Sequence, residues 1–197
     1  MTAYDVAGGI AGLLALVAYI PYIIAILREQ TKPNRATWFI WTVASIIGTV
    51  SYFQSGARET IWVSAGFLVG SGTIAMLSIK RGDNGWTWVE TVCSLGATIG
   101  VALWIITRSP LPTLFLSMAI ATLGAVPTMR KAYRDPSSEN RLAWFLFVLS
   151  AIVNLFAVEK WTLVMFTIWI VPVNILLTDG FILALVLWPR KKVAVPT

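Results

Sequence analysis

Histidine is absent from this chain, and cysteine occurs once, at Cys93. The first absence removes the commonest metal ligand and the usual general base near neutral pH. The second excludes an internal disulfide framework and a thiolate metal cluster. Charge is scarce as well, at 12% of the 197 residues against 57% hydrophobic, with a mean hydropathy of +0.77. Soluble domains carry roughly 25% charged residues, so the composition excludes a soluble fold and implies a polytopic membrane protein. No phosphate loop is present: Gly8-Gly9 and Gly70-Ser71-Gly72 have neither the lysine nor the spacing, and read as places of close helix approach. No acid pair lies inside an apolar run and no nucleophile stands beside a base, so neither an enzyme nor a cofactor or metal is expected.

What the chain does have is long apolar runs. A membrane crossing needs about 20 such residues, and the breaks in hydrophobicity leave seven runs, at 5–27, 37–52, 61–79, 86–106, 111–129, 142–158 and 161–188. Asp5 precedes the first run and no basic stretch leads it, so that run reads as a span and not as a cleavable signal. The short connections make consecutive helices antiparallel neighbours. With that alternation, one side of the membrane collects twelve of the 15 basic residues, from Arg28, Lys32 and Arg35 through Arg141 to Arg190, Lys191 and Lys192. Arg58, Arg108 and Lys160 fall on the other. This bias puts the N-terminus outside and the C-terminus in the cytoplasm. It also accounts for the net charge of +6 without a nucleic-acid partner. Trp38, Trp62, Trp86, Trp144, Trp161 and Trp188 lie near run ends, where interfacial anchors are expected.

The chain also repeats itself. Shifted by 106 positions, residues 21–47 fall on 127–153 without a gap, with seven identities: Pro21/Pro127, Arg28/Arg134, Asn34/Asn140, Arg35/Arg141, Trp38/Trp144, Phe39/Phe145 and Ile46/Ile152. Chance would leave roughly two, so an internal duplication is read. Its unit is three helices, an odd number, and the helix at 86–106 restores the direction between the copies. The fold class expected is all-α membrane, with seven transmembrane helices arranged as 3+1+3 parallel three-helix-bundle repeats. The divisions are a first bundle at 1–82, a linker helix at 83–109, a second bundle at 110–189 and a cytoplasmic tail at 190–197.

Seven helices as 3+1+3, an outside N-terminus, and a proline in the first helix of each half ahead of a basic loop form a pattern that resembles the PQ-loop superfamily. That superfamily contains the SWEET sugar facilitators, the SemiSWEETs and the PnuC-type vitamin carriers. The chain is similar to it in architecture over nearly its whole length, and in motif over 27 residues per half. It departs from the family where Tyr22 and Thr128 follow the two prolines in place of glutamine, and where 37–52 and 142–158 have no proline. The resemblance implies a carrier for a sugar or similar small polar solute, with a substrate-facing asparagine in the last helix of each half. Asn174 takes that role in the second half. Its counterpart in the first is Gly66, so the pocket would be asymmetric.

Particular residues carry the candidate chemistry. Pro21 and Pro127 leave the carbonyls of Val17 and Leu123 without their helical N–H partners, at matched depths. They serve either as hinges of a gate or as static kinks. Asp179 is the only acid well inside a run. It is either functional, in proton coupling, a substrate hydrogen bond or a gate, or a structural partner of Thr178, Ser71 or a snorkelling base. Ser71 falls opposite Asp179 when the last helices are matched at an offset of 108. Asn174 and Asn154 offer carboxamides to a polar solute or to a neighbouring helix, and Trp169 and Trp41 offer indole faces to a sugar or heterocycle. Glu90, at the start of the fourth helix, reads as a complement to the helix dipole. Asn34-Arg35 and Asn140-Arg141 read as helix caps.

The function expected is a SWEET-like transporter of a small polar solute working by alternating access. The alternative is a receptor-like or scaffolding seven-helix protein with no transport activity, marked by a closed, apolar centre. The partners expected are a small-molecule substrate and the lipid bilayer. Homo-oligomerisation stays open.

Overall fold

The computed structural model describes residues 2–82, 88–107 and 109–188. Trp86, Arg108 and the tail 190–197 lie outside the described residues, as do the side chains of Glu90 and Cys93. The described residues form helices α1 (Ala3–Leu27), α2 (Arg35–Gln54), α3 (Ile61–Arg81), α4 (Trp88–Thr107), α5 (Pro110–Gly124), α6 (Val126–Arg134), α7 (Arg141–Leu155) and α8 (Phe166–Leu187). Short 3-10 turns at Pro136–Ser138 and Leu163–Met165 precede α7 and α8, and no strand occurs among the described residues. Five stretches are long and apolar enough to cross a membrane: Ala3–Leu27, Arg35–Gln54, Ile61–Arg81, Pro110–Arg134 and Leu163–Leu187. The chain is a multi-pass integral membrane protein.

Local chemistry sets the helix ends. Thr2 and Asp5 form a reciprocal capping box at the start of α1. At the starts of α2 and α7, the side-chain carbonyls of Asn34 and Asn140 accept the backbone N–H of Thr37 and Ala143, each at 2.9 Å. These are the expected caps. The arginine after the first of them satisfies the other kind of helix end, since Arg35 donates to the carbonyls of Ser78 and Ile79 at 3.1 and 2.8 Å. Arg81 does the same for Leu27 at 2.7 Å. Arg35 and Arg81 thus lie at one end of the bundle, bonded to helix C-termini whose dipoles favour a cation.

α1 lies between α3 and α7. Its buried face is a stripe of small residues, Gly8, Ala11, Gly12, Ala15 and Ala18, at helical spacing. Gly8 meets the backbone of Glu59, Gly12 meets Trp62, and Ala15 meets Gly66. Across the other seam, Ser150 donates to the carbonyl of Ala11 at 2.8 Å. In lipid no hydrophobic force drives helices together, so close contact and interhelical hydrogen bonds have to hold them. The outward face shows the converse: Leu13, Val69, Met76 and Leu177 are all more than 60% exposed, while Ser51, Thr113, Ser117 and Asn154 are buried. α3 also packs on α2. α8 packs on α7 and α6, α2 packs on α5, and α4 lies against α5 and α2.

Two expectations need correcting. The fifth run is not one helix but two, interrupted at Ala125. Pro127 cannot donate and falls in the first turn of α6, where no donor is needed, and Gly124 before it lets the indole of Trp41 come close. Pro21, by contrast, sits inside an unbroken α1, so the two prolines do not make matched kinks. The tryptophans divide as well. Trp62, Trp161 and Trp188 are more than half exposed, as anchors should be, but Trp38 and Trp144 are only 2% exposed.

The tight α1–α3 seam is testable with adjacent glycines. A Cβ at Gly8 would enter the Glu59 carbonyl, whereas one at Gly9 meets nothing within 4 Å. Gly8→Ala should cost about 1–3 kcal/mol. Gly9→Ala should be neutral or stabilising by up to about 1 kcal/mol. Thermal unfolding in detergent micelles measures both; equal losses would contradict the seam.

Candidate functional site

Where α1, α2, α3, α5, α7 and α8 meet there is a partly open cavity of about 120 Å³. A water needs roughly 10–15 Å³ on this measure, so the space suits a cluster of waters or one small solute.

Toward the basic end the cavity is walled by aromatic rings: Tyr19 of α1, Trp38 and Trp41 of α2, Phe67 of α3, and Trp144 and Phe147 of α7. They meet largely edge to face, Trp38 on Trp41 with centroids 4.9 Å apart and Tyr19 on Phe147 at 4.8 Å, the arrangement that aligns ring edges with ring faces. The polar tips of Trp41, Trp144 and Tyr19 are occupied by protein. The Trp41 indole N–H donates to Ala121 at 2.9 Å, the Trp144 N–H to Glu139 Oε2 at 3.0 Å, and the Tyr19 hydroxyl to Phe67 at 3.4 Å. The rings therefore present mainly faces and edges to the cavity.

Polar side chains line the same space. Asn174 Nδ2 donates to Thr122 Oγ1 at 3.2 Å. Thr178 and Asp179 lie one turn further along α8, and Ser71 of α3 also lines the space. Asp179 is 5% exposed, and its Oδ2 has no hydrogen-bond partner among the described residues. Ser71, the partner considered from sequence, turns instead to Leu68 of its own helix at 3.4 Å. An unpaired carboxylate at such depth costs about 2.5–3.5 kcal/mol on insertion scales, which is why these groups usually face water or a ligand. No group of three metal-ligating side chains occurs among the described residues.

Asn174, Asp179, Trp41 and Ser71 are thus brought together, and Trp169 and Asn154 are not. Trp169 stacks on Trp161 with centroids 5.9 Å apart and donates to Thr162 at 3.0 Å, tying the entry of α8 to the turn before it. Asn154 is buried between elements and donates to Thr60 at 3.4 Å. Pro21 and Pro127 lie nearer the basic end, where Asn140 Nδ2 reaches the Pro21 carbonyl at 3.4 Å.

Three features were not anticipated from sequence. Trp38 and Trp144 are cavity walls, although their identity in both copies was a signal. So was Phe147, which falls opposite Trp41 in the same alignment. Next, Glu139 is a buried acid just ahead of α7, held by Lys131 at 3.0 Å as well as by Trp144. Lys131 also donates to Lys32 at 3.1 Å, and Thr31 donates to Ser138 at 3.3 Å, so this cluster joins the α1–α2 and α6–α7 connections across the basic end. No sequence signal marks it, since Glu139 falls opposite Pro33. Last, Pro172 deprives the Ile168 carbonyl of its helical donor. The buried Tyr52 hydroxyl donates to that carbonyl, while sharing a second bond with Thr60 Oγ1 at 2.6 Å. α8 runs unbroken through Pro172.

No protein-family model, curated protein or solved structure matches this chain.

Tyr52→Phe should leave the Ile168 carbonyl and Thr60 without their shared partner. A loss of about 1–3 kcal/mol is expected, read as a lower unfolding midpoint in detergent, with Tyr4→Phe near the helix entrance as the unchanged control.

Proposed function

We propose that this protein is a SWEET-like membrane transporter. It moves a small polar solute through the central cavity by alternating access between two three-helix units, α1–α3 and α5–α8, with α4 as the linker. The observation that carries this reading is the cavity itself: a partly open space, mostly apolar in its lining, that nevertheless holds the polar side chains Asn174, Thr178 and Asp179 inside a bundle whose outer surface is apolar. A receptor or scaffold would call for a closed, apolar centre.

The helix neighbours support the two-unit plan. Exchanging α1 with α5–α6, α2 with α7, and α3 with α8 carries each main packing pair onto another: α1·α3 onto α6·α8, α2·α3 onto α7·α8, and α1·α7 onto α2·α5. Residues identical in the two copies also share burial, with Trp38 and Trp144 both 2% exposed, and Phe39 and Phe145 at 42% and 53%. Such correspondence is what seven spans in a 3+1+3 plan require.

The basic end is assigned to the cytoplasm by the positive-inside bias. Trp38, Trp144 and the Glu139–Lys131 pair close the cavity there, which makes this the gate that must open for release on that side. Without a nucleotide motif, transport is facilitated diffusion or is coupled to an ion.

Purified protein in liposomes should take up at least one of a panel of sugars, nucleosides and vitamins, and Asn174→Ala should reduce that uptake by tenfold or more. A ligand that raises the unfolding midpoint but shows no flux would overturn transport in favour of a receptor. The gate has its own test. In a Cys93→Ser background carrying Ser71→Cys, Glu139→Gln should speed labelling of the new thiol by an impermeant reagent added on the basic side. An unchanged labelling rate would remove the gate assignment.

A further inference from the structure

The charge in the cavity is of one sign. Among the described residues that line it, Asp179 alone carries a formal charge, and none is a lysine or arginine. The basic side chains nearest the aromatic end are already engaged, Lys131 by Glu139 and Arg35 by the carbonyls of α3. Asp179 is more than nine-tenths buried, its Oδ2 has no protein donor, and the hydroxyl of Ser71 is turned away from it. Six aromatic rings also line the space, and the N–H or O–H groups of Tyr19, Trp41 and Trp144 are bonded to protein, leaving π-faces and edges toward the cavity.

A neutral polyol could use the serine and threonine hydroxyls and the Asn174 carboxamide of the lining, but it would leave the Asp179 carboxylate, acceptor-only when ionised, without a counter-charge. A small organic cation is served at both ends. An ammonium head offers the buried carboxylate its missing counter-charge, and its C–H or N–H surface lies against rings whose quadrupoles attract cations. A hard metal ion is not favoured, because a single carboxylate with no second acid supplies too few anionic oxygens.

The geometry points to a small organic ammonium ion as the ligand of the cavity, held by the Asp179 carboxylate together with the aromatic rings of Tyr19, Trp38, Trp41 and Trp144. The inference rests on the reading of the cavity as the solute site and names the class of that solute.

Choline and its neutral isostere 3,3-dimethylbutan-1-ol separate charge from shape. Calorimetry on the full-length protein in nanodiscs, at constant ionic strength set with sodium chloride, should show choline binding at least about tenfold more tightly than the alcohol. Asp179→Asn should abolish that preference, and Asp179→Glu should retain part of it. Equal binding of the two probes would overturn the proposal, as it would if the carboxyl stayed protonated. A preference unchanged in Asp179→Asn would overturn it too. Should Asp179→Asn fail to fold, Trp41→Leu in its place should weaken choline while sparing the alcohol; a parallel loss of both would count against the aromatic wall. Flux keeps this proposal distinct from transport itself. Uptake of neutral solutes with no preference for choline would sink the cation assignment and leave the transporter standing. Tight choline binding with no uptake would do the reverse.

Discussion

In hydrocarbon no water is available to a stray N–H or C=O, so each polar group of this chain has to find its partner inside the chain or in a cavity. Much of the structure is the working out of that constraint. Asn34 and Asn140 take up the free amides that open α2 and α7, and Arg35 and Arg81 take up free carbonyls at the ends of α3 and α1. Tyr52 supplies the donor that Pro172 withholds from Ile168. Against this background the exceptions carry information. Among the described residues, the buried side-chain atoms left without a partner are on Thr37, Ser51, Asn154 and Asp179, and of these Asp179 alone lines the cavity.

The two Asn-Arg stretches begin from the same sequence and end in different mechanical settings. On one side, α1 is sealed against α7 through Ala11 and Ser150, with no room between them. On the other, the matching α2–α5 seam passes Gly48 and Ser117, both cavity-lining, and α4 lies over it. The cavity is therefore displaced toward α2 and α5. The break at Ala125 adds to this asymmetry: α1 is a single rod through Pro21, while α6, which carries Lys131, is a separate short helix. Interrupting the helical hydrogen-bond ladder lowers the cost of bending at that point.

Legibility in the sequence followed the kind of force involved. Helix positions were readable within a few residues, because they depend on apolar run length and on local caps such as Asn34 and Asn140. Asn174 and Asp179 were readable because polar groups in apolar runs are costly and conspicuous. The aromatic wall was hidden by a correct generalisation: tryptophan near a span end is usually interfacial, and only packing reveals that Trp38 and Trp144 point inward while Trp62 and Trp161 do not. Trp169 failed the other way, since its distance from the ends of the run concealed the 3-10 turn that brings Trp161 onto it. Glu139 was invisible, because its burial comes from Lys131 and Trp144, which lie outside its own turn of chain.

That buried acid bears on how a closed end can also open. The Glu139 side chain is 1% exposed and that of Lys131 26%. Removing such a pair from water costs several kcal/mol per ion, and the mutual attraction roughly offsets it. An ion pair of this kind adds little net stability, yet it specifies one geometry, with the carboxylate divided between the ammonium of Lys131 and the indole of Trp144. If the α6–α7 connection moved outward, both ions would recover their hydration and the indole would lose its acceptor, so an open arrangement would differ from this one by a small balance of large terms. A purely apolar plug of the same size would lack that return from solvation and would hold the closed state more firmly. Under the proposed transport reading, in which the pathway would have to close and reopen, a desolvated ion pair at the basic end is the better-suited contact.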